Sequence, residues 1–182
     1  MQAFTETEAR TWSLDHRLEI NRAGDPCFSD QRLTIFRLPL PKEPHRLPYL
    51  VLSLLDVKVD ESDEVDGDEH LLWMRSWDMW PKLVTSIGLV QFEALRKGLG
   101  ISESISERPA VLFSHAEIKG LISCALVPLV FGWDCYIIPC SADYITFLSH
   151  DEHVEVSAKS DEVQSRLINE LGRWNPSRPR NG

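Results

Sequence analysis

The segment 118–131, IKGLISCALVPLVF, constrains the fold most, because it is apolar on nearly every side of a helix. A helix that is hydrophobic all round has to be covered by other elements. Ser114 and Glu117 stand just before it with the spacing of a capping box, in which each residue satisfies a backbone group of the first turn. Gly132 follows the segment and is a typical helix-ending residue. The sequence therefore predicts a central helix within 114–131, packed against other elements of the fold.

The rest of the chain alternates between strand-like and helix-like patterns. Pro81 and Ser160 are each suited to the start of a helix, so we expect a helix after each of them. We expect strands at 11–20, 31–38, 49–59, 71–81, 110–113 and 133–139, and a hairpin of 143–149 with 153–159. This order predicts an α+β fold with a mixed or antiparallel sheet of about six strands, the central apolar helix (114–131) and two flanking helices.

Two of the expected strands rest on periodicity alone. Residues 11–20 alternate, with Trp12, His16 and three aliphatic side chains on one face, which is typical of a half-buried strand. Residues 49–59 are apolar on both faces in their first half, which favours a central strand. Four prolines between positions 39 and 48 predict a stiff connector without regular structure before that strand.

The expected helix after Pro81 has apolar residues at helical spacing. We expect Leu83, Ile87, Val90 and Ala94 to form its buried stripe, and Leu95 is a further candidate for it. Glycines at 98 and 100 follow the stripe and end the helix, so they do not open a dinucleotide-binding loop. No other motif predicts a cofactor.

Length and charge set the classes of partner. The 182 residues suit one domain (1–182), with an acidic loop at 60–70 and a frayed tail at 175–182. The net charge of −9 disfavours nucleic acid and favours a basic protein partner.

The expected location is the cytoplasm. No apolar run is long enough for a membrane span, and no basic start precedes an apolar run at the N-terminus. The four cysteines include no C-x-x-C pair, which predicts reduced thiols.

The acidic run DESDEVDGDEH at 60–70 carries seven carboxylates. Aligning Gly67 with the sixth position of an EF-hand puts Trp73 at the twelfth position, where a bidentate glutamate is required. The calcium-loop interpretation therefore fails, and a solvated loop is expected. Its acids are the expected binding residues for a basic partner: Asp63, Glu64, Asp66 and Asp68.

The run LLWMRSWDMWP at 71–81 fits both a strand and a helix, and its aromatic content favours a strand. Three tryptophans are close together in it: Trp73, Trp77 and Trp80. Such residues usually fill a core, and the alternative is a platform on which a small ligand stacks. On that alternative Trp73 and Trp77 are candidate binding residues.

The run SHDEH at 149–153 combines residue types used in catalysis and in metal binding. Adjacent residues of an extended chain point to opposite faces, so Ser149, His150 and Asp151 cannot form a hydrogen-bonded triad. His150, Asp151 and His153 remain candidate metal ligands, of a kind that would serve a metal-assisted hydrolase. Exposed polar residues are also the normal occupants of a hairpin tip, and we favour that interpretation.

These observations predict a non-enzymatic cytosolic protein-binding module that engages a basic partner, a class that includes immunity and accessory factors. The prediction depends on the negative charge, the acidic loop and the absence of a phosphate-binding loop or a nucleophile elbow. Two alternatives stay open: the metal-assisted hydrolase at the hairpin and the small-ligand site at the tryptophans. An active site assembled from distant residues leaves no local pattern of this kind.

Overall fold

The computed structural model describes residues 1–29, 34–55, 69–77 and 82–177. Within these ranges the chain forms five α-helices: α1 (Glu6–Asp15), α2 (Leu47–Leu55), α3 (Lys82–Gly98), α4 (Ile118–Phe131) and α5 (Asp161–Glu170). It also forms nine strands: β1 (Gln2–Phe4), β2 (Glu19–Ile20), β3 (Pro26–Cys27), β4 (Thr34–Pro39), β5 (His70–Ser76), β6 (Ala110–Phe113), β7 (Asp134–Pro139), β8 (Tyr144–Ser149) and β9 (His153–Ala158).

Seven of these strands form one antiparallel sheet in the order β1-β6-β5-β7-β8-β9-β4, and β2 pairs with β3 in a separate small hairpin. The predicted α+β class with a large sheet is therefore confirmed. The predicted hairpin is also confirmed, because β8 pairs with β9 along their full lengths. Six of its strands, β4 to β9, fall on expected strand segments, and the short β1, which was not expected, adds to β6 at the edge.

The sheet separates two apolar cores. Side chains on its front face pack against α2, α3, α4 and α5, and those on its back face pack against α1 and the β2–β3 hairpin. Successive residues of a strand point to opposite faces, so Leu72 and Met74 of β5 belong to the front core while Leu71 and Trp73 belong to the back core. Strand β5 is consequently buried on both faces, as a central strand should be.

Helix α4 lies at the centre of the front layer, as its sequence predicts. It packs beside α2 and α3, and Leu121, Cys124 and Ala125 are fully buried against the sheet. A short 3₁₀ turn precedes it, in which the backbone N–H and the hydroxyl of Ser114 both donate to the Glu117 carboxylate, at 2.9 and 2.8 Å. Gly132 ends the helix in the left-handed conformation, at φ 61°.

The strand predicted at 11–20 is wrong, because residues 6–15 form helix α1. Thr5 caps this helix, its side-chain oxygen accepting from the Glu8 amide at 3.2 Å while the Glu8 carboxylate accepts from the Thr5 amide at 2.7 Å. The alternation of apolar residues from Trp12 onward is incidental to the fold. Ala9 and Trp12 are buried at helical spacing, and Leu14 is exposed.

The strand predicted at 49–59 is also wrong, because residues 47–55 form helix α2 and residues 56–59 lie outside the described ranges. The prolines before it do not exclude regular structure. Pro44 begins a 3₁₀ turn, and Pro48 occupies the first turn of α2, where no intrahelical N–H bond is required. Nearly all residues of α2 are apolar, and the buried ones recur at helical spacing: Leu47, Leu50, Val51, Leu54 and Leu55.

The end of the chain is attached to the sheet further along than expected. Ser177 and Arg37 of β4 exchange backbone hydrogen bonds of 2.7 and 2.8 Å, so fraying does not begin at residue 175. The remainder of the predicted tail, 178–182, lies outside the described residues. Among the residues described, no helix combines the length and the hydropathy that crossing a membrane requires.

Candidate functional site

The run at 149–153 forms the tip of the β8–β9 hairpin, as predicted. Ser149 pairs with His153 in the last register position, and the loop consists of His150, Asp151 and Glu152. Glu152 adopts a left-handed conformation at φ 60°, which closes the loop. His150 therefore lies in the loop and does not face His153, whose partner across the hairpin is Ser149.

His150 turns back to the first residue of β7. Its backbone N–H and its ring Nδ1–H both donate to Oδ1 of Asp134, at 2.9 and 2.8 Å. The hydrogen bond to Asp134 raises the pKa of His150, and the charges of Asp134 and Asp151 act in the same direction. His150 thus joins the hairpin to β7. The described residues contain no group of three or more His, Cys, Asp and Glu side chains placed to hold a metal ion.

The tryptophans of the run 71–81 do not share a surface. Trp73 is fully buried in the back core, where its indole N–H donates to Oε2 of Glu6 at 2.9 Å and the Arg75 guanidinium lies 5.2 Å from the ring centroid. Trp77 is half-buried and packs against the front core. Trp80 lies outside the described residues. Trp73 and Trp77 are therefore on opposite sides of the sheet and do not form a joint ligand platform.

The acidic residues proposed to bind a partner, Asp63, Glu64, Asp66 and Asp68, lie outside the described residues. The segment that contains them connects the end of α2, at Leu55, to Glu69 before β5.

The back face of the sheet brings together a thiol and an imidazole that are far apart in the sequence. His16 caps the end of α1, and Cys140 follows β7, with Sγ of Cys140 lying 3.3 Å from Nε2 of His16. The other ring nitrogen, Nδ1, lies 2.7 Å from the Trp12 carbonyl oxygen. A carbonyl only accepts hydrogen bonds, so Nδ1 carries the proton and Nε2 of the neutral ring is free to accept the thiol proton.

This thiol–imidazole pair opens onto a cleft of about 460 Å³. Phe28 contributes an apolar wall, while Asp15, Arg17 and Lys159 place charges around the cleft. A volume of this size is within the range that holds small ligands. Burial and the carboxylate of Glu69 raise the pKa of the Cys140 thiol, so the thiol keeps its proton and can donate it to the imidazole.

The front layer presents a second candidate site on its outside. Three of the residues expected to bury α3 face away from the sheet, since Ile87 is 47% and Val90 is 70% exposed, and Ala94 is exposed as well. Leu95 is half-buried and packs against the front core, and the side chain of Leu83 lies outside the described residues. The buried side of α3 is formed instead by Gly88, Phe92 and Arg96. The stripe prediction is wrong because Gly88 lets α3 approach Phe131 and Trp133 closely, which turns the aliphatic residues outward.

Five exposed hydrophobic side chains of α2, α3 and α4 make up what we call the outer helical surface: Tyr49, Leu52, Ile87, Val90 and Val130. They are five of the seven large hydrophobic side chains exposed among the described residues, and α4 packs directly against both α2 and α3. Because all five lie on helices of the front layer, we treat them together as a candidate contact surface, which is what a large exposed hydrophobic patch usually marks.

Neither site has a local sequence motif. His16 and Cys140 are separated by 124 positions, and only the contact between the end of α1 and the end of β7 brings them together. The capping-box spacing of Thr5 and Glu8 is a signal that could have shown α1, and hence the placement of His16 at a helix end. Comparisons with protein-family models, with curated proteins and with solved structures find no match for this chain.

Proposed function

We propose that this chain is a cytosolic protein-binding module that contacts a basic partner through the outer helical surface. The observation that carries the proposal is the outward orientation of Ile87 and Val90 on α3. Their spacing is that of a buried stripe, and the fold leaves them exposed. Covering these apolar side chains with another molecule would remove them from water, which favours binding.

The position of the surface supports a contact with a protein. Helices α2 and α3 both pack against α4, and fully buried residues such as Leu121 hold α4 against the sheet. A rigid scaffold loses little conformational entropy when a partner binds, so less of the binding free energy is spent on ordering the surface. Apolar side chains surrounded by polar ones are the usual composition of such an interface, and Lys82, Lys97 and Lys119 are exposed on the same helices.

The basic character of the partner rests on the charge of the whole chain. A net charge of −9 attracts a positively charged protein over a long range and raises the rate of encounter. The acidic run at 60–70 supplies seven of the 28 acidic residues. The lysines beside the outer helical surface weaken this attraction locally, so we assign the charge to steering and the apolar side chains to the contact itself. An immunity or accessory factor is one form that such a module takes.

The direct test replaces the apolar contact without changing the charge. The double variant Ile87→Ser, Val90→Ser is compared with the parent and with Leu14→Ser, a matched control on α1 at the back of the sheet, where Leu14 is 56% exposed. Proteins captured by each from a native lysate are identified, and the affinity of the recovered partner is measured. Loss of two contacts worth about 1 kcal/mol each should weaken binding by about 30-fold in the double variant, and the control should bind like the parent.

Equal binding by the double variant and the parent, with both folded, would refute the contact surface. The charge component is tested separately, by replacing Asp63, Glu64, Asp66 and Asp68 with Asn or Gln. This change should slow association with the partner, most strongly at low salt, and should alter dissociation less. An association rate that responds to neither salt nor the four substitutions would contradict the steering role.

A further inference from the structure

We propose that His16 and Cys140 are a catalytic pair, which transfers the acyl group of a small activated ester or thioester to water through an acyl-thioester on Cys140. The pair lies on the back face of the sheet, so this activity is independent of the outer helical surface on the front.

The imidazole is fixed in the orientation that a general base requires. The ring of His16 stacks on that of Trp12, with centroids 3.9 Å apart and an angle of 21° between the planes. The Nδ1–H group donates to the Trp12 carbonyl at 2.7 Å, which sets the tautomer and directs Nε2 toward the Cys140 sulfur at 3.3 Å. A nucleophile within reach of a base, and a base oriented by a third group, are the parts of a nucleophilic catalytic site.

The backbone that carries the thiol is held in place as well. Cys140 lies in a tight turn between β7 and β8, where the Ala142 amide donates to the Pro139 carbonyl at 2.8 Å and the Cys140 amide donates to the Glu69 carbonyl at 2.8 Å. Ala142 has a left-handed φ of 48°, and Arg17, next to His16, has a φ of 64°. A left-handed conformation is unfavourable for a residue with a side chain, and such residues concentrate at functional sites.

The cleft limits the size of the substrate. Its volume of about 460 Å³ holds a small molecule, and the edge of the largely buried Phe28 lines it. The charged groups around the pair are Asp15 and Arg17 from the end of α1, Lys159 after β9, and Glu69 before β5, whose carboxylate acts on the Cys140 thiol. Lys159 also donates to Asp143, at 3.1 Å, which holds its ammonium group in place.

The reaction balances without any further reagent. The sulfur of Cys140 forms a bond to the acyl carbon, and the thiol proton passes to Nε2 of His16. The bond from the acyl carbon to the leaving oxygen or sulfur then breaks, and that atom takes the proton from Nε2. Water adds to the acyl carbon of the thioester while Nε2 accepts its proton. The carbon–sulfur bond then breaks, the sulfur takes that proton from Nε2, and the carboxylic acid and the free thiol result. His16 is needed as the base because the thiol is neutral before attack.

The test uses p-nitrophenyl acetate and the full chain. We expect a burst of p-nitrophenolate equal to the protein concentration, followed by slower steady release, with the acetyl group found on Cys140 by peptide mass spectrometry after quenching. Cys140→Ser should lose the burst. Cys27→Ser is the matched control and should behave like the parent, because Cys27 is also half-buried with a raised thiol pKa and has no imidazole hydrogen-bonded to its sulfur.

The role of His16 is tested with His16→Gln and His16→Asn, each checked for folding by thermal unfolding. We expect acylation to slow by about 10²-fold, the scale of general-base catalysis, and the pH dependence due to the imidazole to disappear. Acetylation of Cys27 and Cys140 at equal rates, an unchanged rate in folded His16 variants, or a burst without subsequent turnover would overturn the proposal.

Discussion

Glu6 fastens helix α1 to the back of the sheet, and we expect its substitution to weaken this attachment in two separable steps. Its Oε2 atom accepts from the buried indole N–H of Trp73 at 2.9 Å. Its Oε1 atom accepts from Arg75 at 2.8 Å and from Arg10 at 3.0 Å. The indole is fully buried, whereas the Glu6 side chain is 39% exposed, so the two kinds of contact differ in their access to water.

The magnitudes follow from that difference. Glu6→Gln keeps an oxygen for the indole but removes the charge from two ion pairs that are partly exposed, which should lower the free energy of unfolding by about 0.5–1 kcal/mol. Glu6→Ala also leaves the buried indole N–H without its acceptor, which costs about 1–3 kcal/mol more. The total for Glu6→Ala is then about 1.5–4 kcal/mol.

Urea unfolding of the parent and both variants, at low and at high salt, measures these terms. Salt should reduce the cost of Glu6→Gln, because it screens the ion pairs, and should leave the difference between the two variants unchanged. Arg10→Gln is the control, since it removes only the most exposed pair and should cost a few tenths of a kcal/mol, about the value of such a pair on a helix. Equal losses in the two Glu6 variants would refute the role given to the buried hydrogen bond.

Three further predictions concern the hairpin, α3 and the central helix α4. The hydrogen bond that His150 donates to Asp134 raises the pKa of His150 above its ordinary 6.5, so the stability from this pair is fully present below the unfolded-state pKa and is lost as pH rises through the folded-state pKa. Asp134→Asn should flatten that part of the pH dependence in urea unfolding, and an unchanged profile would contradict the assignment. Gly88→Ala should lower the melting temperature, because the new methyl group would approach the buried Trp133 ring to 2.5 Å, and overpacking of about 1–3 kcal/mol exceeds the gain of about 1 kcal/mol in helix propensity. Leu121→Ala should lower the free energy of unfolding, measured in urea, by about 2–5 kcal/mol. A variant as stable as the parent would show that α4 is not the core helix described here.

The elements that the sequence predicts correctly are those with strong signals at both ends. Helix α4 is bounded by the Ser114–Glu117 spacing and by Gly132, and a helix that is apolar on nearly every side has to be buried in the core. The β8–β9 hairpin is bounded by polar residues at its tip, and β9 alternates between buried and half-buried positions as a strand with one covered face does.

Helices α1 and α2 were predicted as strands because hydrophobic periodicity over a short segment is ambiguous. In α1 the residues from Trp12 to His16 fit a period of two, while the capping residues Thr5 and Glu8 favour a helix that begins earlier. In α2 nearly every residue is apolar, so no period stands out, and Pro48 is compatible with the first turn of a helix.

The candidate sites depend on tertiary structure in different ways. The exposure of Ile87 and Val90 depends on how closely α3 approaches α4, which Gly88 determines and which no periodicity reveals. The distance between His16 and Cys140 depends on where α1 crosses the sheet. The hairpin residues were visible in the sequence, but the engagement of His150 by Asp134 was not, because Asp134 belongs to a different strand.

The outer helical surface is tested most directly by hydrogen–deuterium exchange on the intact chain, alone and with its recovered partner. The account predicts that partner binding slows amide exchange in α2 (Leu47–Leu55), in α3 (Lys82–Gly98) and in the adjoining part of α4, and leaves α1 unchanged. Slowed exchange confined to α1 and the β2–β3 hairpin would show that the partner binds the back of the sheet, and would contradict the proposal.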